Sequence, residues 1–211
     1  MKTDELIQML STRAGPADLQ LPRRLVARTI LFTLLAATLL SITLMGGASI
    51  ENMLQSAFWL KVAYAGLLAA LASHLFVNAG KPAVPLTQNI KRLASLVLLA
   101  IGLGLAYCLA APLGERLTLI TGHSWLACPW LIALVSAPGL AASLIAMSAM
   151  APTQPRIAGF ACGIFAGAVS SAGYAIACTE SSPTFVALWY SAGILLVGVI
   201  GALLGPRVLR W

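Results

Sequence analysis

Long apolar runs alternate with short polar connections along the whole chain. Six of these runs are long enough to cross a bilayer, since about 20 apolar residues span ~30 Å of hydrocarbon. They cover residues 25–45, 58–78, 93–113, 127–150, 157–177 and 184–205. A backbone inside lipid must satisfy its own hydrogen bonds, so each run is predicted to be helical. The pattern therefore predicts an all-α fold, a bundle of six transmembrane helices with short connections.

Composition supports a membrane location. Apolar residues make up 60% of the 211-residue chain and charged residues only 9%, with a mean hydropathy of +0.93. A soluble domain carries about a quarter charged residues, so the composition favours an integral membrane protein. The first apolar run follows a segment that contains Asp4, Glu5 and Asp18, and it is longer than the ~7–15 residue core of a signal peptide. We therefore expect a retained anchor rather than a cleaved leader.

The basic residues predict the orientation of the bundle. Eleven of the thirteen fall at one set of helix ends, and only Lys61 and Arg116 fall at the other. The eleven are Lys2, Arg13, Arg23, Arg24, Arg28, Lys81, Lys91, Arg92, Arg156, Arg207 and Arg210. Because Lys and Arg collect in cytoplasmic loops, both termini are predicted to be cytoplasmic. The net charge of +7 then reflects topology, and no basic tract with interleaved aromatics indicates direct binding of nucleic acid.

Two cysteines stand beside polar turns at the predicted outer face. Cys128 opens the fourth span in Cys-Pro-Trp, and Cys178 is predicted to close the fifth span in Cys-Thr-Glu-Ser-Ser-Pro. In an oxidising compartment they could form a disulfide, if their Cα atoms approach within ~7 Å. Two thiolates could also capture a thiophilic metal ion, whereas a structural zinc site needs four ligands. Packing is the third alternative, but the polar setting of both residues favours sensing.

The remaining cysteines and histidines have weaker functional signals. Cys108 in the third span and Cys162 in the inner part of the fifth span are expected to pack as small apolar residues. His74 lies in the inner half of the second span, where we expect it to be hydrogen-bonded or to snorkel. His123 precedes the fourth span, and it could join the outer thiols as a ligand.

Small and aromatic residues predict how the helices pack. Prolines remove a helical hydrogen bond, so Pro138-Gly139 is expected to kink the fourth span. Glycines spaced four apart in the last two spans predict close helix packing, with a sliding or switching interface as the alternative. These glycines are Gly159, Gly163, Gly167, Gly201 and Gly205. Four aromatic residues near predicted interfaces are interpreted as membrane anchors: Trp59, Trp125, Trp130 and Tyr190.

Residues 1–24 are the one cytoplasmic segment long enough to form a binding surface. The opening MKTDELIQML predicts a short amphipathic helix with Thr3 or Asp4 as its N-cap and acids in its first turn. Such a helix is marginal alone in water, so it is expected to order by docking. It either lies on the bilayer surface or inserts into a groove of a protein partner, and its acidic first turn favours the partner.

Enzyme and transport functions find little support in the residues. The chain has no Cys-x-x-Cys pair, no Ser/His/Asp set and no phosphate-binding loop. A membrane thiol oxidoreductase remains an alternative because of the outer cysteines. A small-solute permease is a further alternative, although the spans contain no carboxylate and show no repeat with broken helices. We expect a protein that is not an enzyme and has no resident cofactor.

Five motifs resemble the NrsF family of six-span anti-sigma factors in the bacterial inner membrane. They are MKTDELIQML, FWLKVAYAGLLA, CPW, CTESSPTFVALWY and GALLGPRVLRW. The resemblance extends in order over nearly the whole chain. Members of the family are negative regulators of extracytoplasmic-function sigma factors of the SigF type. The resemblance implies that residues 1–24 bind a sigma factor and that residues 25–211 form the membrane domain.

The resemblance also implies roles for individual residues. Cys128 and Cys178 would sense oxidative or heavy-metal stress, either as a disulfide or by transient binding of a thiophilic metal ion. Cys108 and Cys162 inherit no role. The residues that would contact the sigma factor are Lys2, Thr3, Asp4, Glu5, Leu6, Ile7 and Leu10. The expected partners are the sigma factor and the surrounding lipids, and the oligomeric state stays open.

Overall fold

The computed structural model describes residues 21–46, 54–82, 84–150 and 152–210, without the side chains of 21–23. These ranges contain no strand, and six of their helices are long and apolar enough to cross a membrane. We number the helices α1 (Leu21–Met45), α2 (Ser56–Ala79), α3 (Thr87–Ala110), α4 (Arg116–Thr121), α5 (Ala127–Ser148), α6 (Pro155–Tyr174) and α7 (Pro183–Val208). The predicted set of six spans is confirmed.

The largest shift from the predicted bounds is in α3, which begins at Thr87 and ends at Ala110 instead of covering 93–113. Residues 87–92 are mostly polar, and they form the first turns of the helix because long polar side chains can reach water from the edge of the bilayer. The helix ends where Pro112 disfavours a helical conformation in the residue before it. Ala111 is accordingly extended, with φ −79° and ψ 156°.

Hydropathy did not predict α4, which lies in the connection between α3 and α5 and crosses no membrane. The Arg116 side chain donates to the carbonyls of Ala111 (3.0 Å) and Leu109 (2.7 Å), so α4 is held against the end of α3. Gly122 ends α4 with φ 54°, a left-handed conformation that favours glycine. The expected short connection is therefore a folded surface element.

The bundle is organised around α6. This helix packs against α1, α2, α5 and α7, and 83% of its most apolar window is buried. The corresponding figure for α3 is 11%, because α3 contacts mainly α2 and the beginning of α7. Most of the surface of α3 is therefore left for lipid.

The closest helix pair is α6 with α7, where glycines let the two backbones meet. A Cβ added to Gly163 would lie 2.7 Å from Cα of Gly198, and one added to Gly159 would lie 2.8 Å from Cα of Gly205. Real Cβ atoms do not approach a backbone this closely, so no larger residue fits without moving the helices apart. The predicted close packing of these spans is confirmed.

Helix α5 continues through Pro138 from Ala127 to Ser148. The next residue, Gly139, lies against α1, where an added Cβ would be 2.8 Å from Oγ1 of Thr33. Gly139 therefore lets α1 approach α5 closely, a role that the sequence did not indicate.

Most of the described basic residues lie at the opposite end of the bundle from Cys128 and Cys178. We call the end that holds Cys128 and Cys178 the thiol end, where Lys61, Arg116, Glu115 and Glu180 also lie. The opposite end, the basic end, holds Arg24, Arg28, Lys81, Lys91, Arg92, Arg156, Arg207 and Arg210. Several predicted residues lie outside the described ranges, namely Lys2, Thr3, Asp4, Glu5, Leu6, Ile7, Leu10 and Glu51. The cytoplasmic location of the termini stays a prediction.

Candidate functional site

Cys128 and Cys178 come together from different elements of the thiol end. Cys128 lies in the first turn of α5, where its backbone N–H donates to the Ser124 carbonyl at 2.8 Å. Cys178 was expected to close the fifth span, but α6 ends at Tyr174 and the chain continues in turns. The last of these turns is closed by the Cys178 N–H, which donates to the Tyr174 carbonyl at 3.1 Å. Both thiols are free and buried, and they lie near each other.

Two tyrosines complete what we call the thiol cluster, which consists of Cys128, Cys178, Tyr174 and Tyr190. The rings of Tyr174 and Tyr190 have centroids 5.8 Å apart at an interplanar angle of 52°. The Tyr174 hydroxyl is within hydrogen-bonding reach of the Cys128 thiol. The Tyr190 hydroxyl lies near the Cys178 thiol without forming a hydrogen bond of acceptable geometry. The cluster is thus a buried group of four weakly acidic side chains.

The interpretation of Tyr190 as an interfacial anchor is wrong, because its side chain is fully buried. Tyr190 ends a π-helical turn, Val186–Tyr190, near the beginning of α7. Such turns are rare and are frequently found at functional sites, because the extra residue changes which side chains face inward. The other predicted anchors, Trp59, Trp125 and Trp130, are exposed at the thiol end, as expected for interfacial tryptophans.

Lys61 is the functional candidate that sequence reasoning missed. Its side chain is 3% exposed, and its ammonium group donates to the Cys178 carbonyl at 2.7 Å. A buried ammonium is costly unless it is compensated, so its position beside two thiols indicates a role there. The signal in the sequence was the isolated lysine in the apolar run Phe58-Trp59-Leu60-Lys61-Val62. By sequence alone, Lys61 contributes only to the predicted orientation of the bundle.

Glu180 links the segments that carry the two thiols. Its carboxylate accepts from the backbone N–H of His123 (2.7 Å) and from the hydroxyl of Ser124 (3.1 Å). The imidazole of His123 is fully exposed, with Nδ1 3.9 Å from the same carboxylate oxygen. His123 therefore does not join the thiols as a ligand. An added Cβ at Gly122 would lie 2.6 Å from Glu180, which explains why glycine stands there.

Helix α4 closes the thiol end over the start of α7. The Ser182 hydroxyl donates to the Leu119 carbonyl at 2.7 Å, and the Trp189 indole N–H donates to the Ile120 carbonyl at 2.9 Å. The rings of Trp125 and Trp189 also pack with centroids 5.4 Å apart. These contacts hold α4 against the start of α7, and a small opening remains at the thiol end.

That opening lies beside Lys61 and Cys178. A cavity of about 10 Å³ is lined by these two residues together with Gln55, Phe58 and Thr179, among others. This is about the space of one water molecule. Cys178 lines the cavity and Cys128 does not, so Cys178 is the thiol that a small species from outside would reach first.

The other two cysteines make contacts typical of packing residues. The Cys162 thiol donates to the Ser143 carbonyl at 3.5 Å, while the Ser143 hydroxyl is 3.4 Å from the Cys162 carbonyl, which joins α5 to α6. The Cys108 thiol is buried and 3.7 Å from the Arg116 carbonyl. His74 lies on an exposed face of α2, away from the thiol cluster.

The cluster offers a metal ion only two strong ligands. Among the described residues, no group of three or more His, Cys, Asp or Glu side chains is arranged to hold a metal. A thiophilic ion that accepts two thiolates would fit the chemistry of Cys128 and Cys178. A closed four-ligand zinc site has no such donor set in this part of the chain.

The fold and the cluster define a polytopic membrane protein with a buried pair of free thiols at one end. A family model described as "Negative regulator of sigma F" matches residues 10–211, and the chain belongs to this family, NrsF. It is 36% identical to the probable anti-sigma-F factor NrsF of Azospira oryzae and 35% identical to the anti-sigma-F factor NrsF of Caulobacter vibrioides, over the full length of each chain. No solved structure matches it. The resemblance found in the sequence is confirmed.

Proposed function

We propose that the chain is an anti-sigma factor of the bacterial inner membrane, with both termini in the cytoplasm. Residues Lys2 to Leu10 bind an extracytoplasmic-function sigma factor and hold it away from RNA polymerase. Oxidative or heavy-metal stress acts on Cys128 and Cys178 and releases the sigma factor. The observation that carries this proposal is the meeting of two free thiols from different elements in one buried cluster.

Two chemistries can use this pair. A two-electron oxidant such as a peroxide takes two electrons and two protons from the thiols, forms the disulfide and is reduced to water. A thiophilic cation instead displaces both thiol protons and joins the sulfurs. Either product ties α5 to the loop between α6 and α7, where Lys61 holds the Cys178 carbonyl. Both chemistries therefore join the same two segments, α5 and the loop between α6 and α7.

A contact next to the cluster connects it to α1, the helix that follows the N-terminal segment. Gly173 directly precedes Tyr174, and a Cβ added to Gly173 would lie 3.0 Å from Thr38 of α1. A shift of the end of α6 would therefore displace α1. This gives the signal a direct route from the thiols to the sigma-binding segment.

The interior contacts of α1 favour such a shift. The hydroxyls of Thr33 and Ser41 on α1 and of Ser170 on α6 are buried, and none of them makes a hydrogen bond to the described residues. Each unpaired buried hydroxyl costs about 1–3 kcal/mol. A second arrangement of α1 that paired these groups would therefore be close in free energy, as a two-state switch requires.

The required free energy is within reach of the thiol chemistry. Changing the occupancy of the sigma factor from nearly full to nearly empty needs a difference of about 5 kcal/mol between the two states. A disulfide or a dithiolate–metal bond supplies this free energy through the difference in its own stability between the two arrangements, because a bond that is equally stable in both shifts nothing.

The output is tested by deleting residues 2–10 and measuring a reporter driven by the sigma factor. Loss of the docking segment should give full expression without stress, while membrane levels of the protein stay unchanged. Continued repression by the truncated protein would contradict the proposed binding segment.

The input is tested with Cys128→Ser and Cys178→Ser, using Cys162→Ser as the matched buried control. Each of the first two variants should abolish the response of the reporter to oxidant and to cadmium, whereas the control should respond normally. An unaltered response in both would return the two thiols to a packing role. Catalytic turnover of a dithiol by the purified protein would instead favour a thiol oxidoreductase.

A further inference from the structure

We propose that the chain binds an anionic phospholipid from the leaflet that faces the basic end. The headgroup occupies a polar pocket between two connections of the bundle, and one acyl chain lies in an apolar groove beside α3. This site is separate from the thiol cluster and does not depend on the proposed sensing function.

The headgroup pocket has a volume of about 440 Å³, which is within the ~300–1,000 Å³ range of small-molecule sites. It lies where the α2–α3 connection meets the α5–α6 connection. Its walls carry five residues with polar side chains: Asn78, Lys81, Thr87, Thr153 and Gln154. Amide and hydroxyl groups around one ammonium can bind phosphate and glycerol oxygens together.

The acyl-chain groove has a volume of about 490 Å³ and is lined almost entirely by apolar side chains of α2, α3, α6 and α7. Representative residues are Leu93, Ile164 and Ile194. The groove exists because α3 stands away from the centre of the bundle, with 11% of its apolar window buried. At this depth in the bilayer, the species available to fill an apolar groove is a lipid chain.

The pocket and the groove form one amphiphilic site. Ile90 lines both of them, so the polar volume continues into the apolar one along α3. The polar part lies at the end of the bundle and the apolar part towards its middle, which is the order of headgroup and acyl chain in a leaflet. A free phosphate would fill only the polar part, whereas a phospholipid fills both.

Charge selects an anionic headgroup over a zwitterionic one. Lys81 lines the pocket, and Lys91, Arg92 and Arg156 belong to the same end of the bundle. Of the described acidic residues, Glu115 and Glu180, neither is at this end, because both lie at the thiol end. Among the described residues, the pocket therefore faces a positive field without a carboxylate to oppose the phosphate.

The test is to purify the full chain from nanodiscs that contain equal amounts of phosphatidylglycerol and phosphatidylcholine, and to count retained lipids by native mass spectrometry. The wild type should retain one phosphatidylglycerol per chain. Lys81→Gln should lower this retention about fivefold. Lys91→Gln, which removes the same charge from the same end outside the pocket, should leave retention nearly unchanged.

A second pair of variants tests the groove. Ala94 lines it and is exposed, so Ala94→Trp should block the acyl chain and reduce retention without disturbing the fold. Ser95→Trp places the same bulk on an exposed position outside the groove and should have no effect. Equal losses in Lys81→Gln and Lys91→Gln would overturn the proposal. So would equal retention of the two lipids, or retention that Ala94→Trp does not change.

Discussion

Helix α6 has two very different faces, one against α7 and one against α1. Towards α7, glycines place backbone against backbone, with no space for a single added Cβ. Towards α1, Gly173 also lies close to the backbone of Thr38. However, three buried hydroxyls in and beside α1 lack hydrogen-bond partners among the described residues. They belong to Ser41 and Thr33 of α1, the latter against α5, and to Ser170 of α6. The close backbone contact between α6 and α7 allows one packing arrangement. The unpaired hydroxyls around α1 carry an unfavourable free energy that another arrangement could remove. We therefore expect that a switch would move α6 and α7 as a unit and α1 against them.

The largest effect is expected from disrupting the close contact between α6 and α7. Gly163→Leu should separate α6 from α7, since even a Cβ would meet backbone atoms of Val197 and Gly198. We expect a destabilisation of about 3 kcal/mol or more, measured as a lower thermal unfolding midpoint in detergent. Gly102→Leu is the control, because an added Cβ at Gly102 meets no atom within 4 Å. If Gly163→Leu has the same unfolding midpoint as the wild type, the close contact between α6 and α7 does not stabilise the bundle.

A smaller but specific effect is expected at the link between α2 and the thiol cluster. Lys61→Met removes the ammonium that holds the Cys178 carbonyl and borders the small opening beside Cys178. The loop should open more often, so Cys178 should react with a maleimide several-fold faster at neutral pH. Lys91→Met removes an exposed basic residue from the opposite end of the bundle and should leave that rate unchanged. Equal rates in the wild type and Lys61→Met would contradict the role of Lys61.

The smallest effect is expected from removing an unpaired hydroxyl of α1. Thr33→Val replaces an unpartnered buried hydroxyl by a methyl group of similar size and should stabilise the protein by about 1 kcal/mol. Thr29→Val is the matched control, because its hydroxyl donates to the Leu25 carbonyl at 2.7 Å. That control should be neutral or destabilising by about 1 kcal/mol. If both substitutions change the free energy of unfolding by the same amount in the same direction, the unpaired hydroxyl of Thr33 does not destabilise the protein.

Hydropathy predicted the number and order of the spans because each one must be apolar over its full length. It could not predict which face of each helix turns inward, since lipid and protein interior are equally apolar. Tyr190 was misassigned for this reason, and the π-helical turn that buries it has no hydropathy signal. Cys128 and Cys178 were predicted because they stand beside polar turns. The contact of Lys61 with the Cys178 loop was missed because a single lysine at the outer end is compatible with the predicted topology and suggests no further role.

The two thiols must act as one unit if stress is to release the sigma factor through them, and disulfide mapping tests this most directly. Membranes that contain the Cys108→Ser, Cys162→Ser protein would be treated with diamide, quenched in acid and digested for mass spectrometry. We predict a Cys128–Cys178 disulfide within a single chain, and its yield should rise together with the activity of the sigma-dependent reporter. Reporter activation while both thiols stay free, or bonds formed only between Cys178 residues of two chains, would contradict the account.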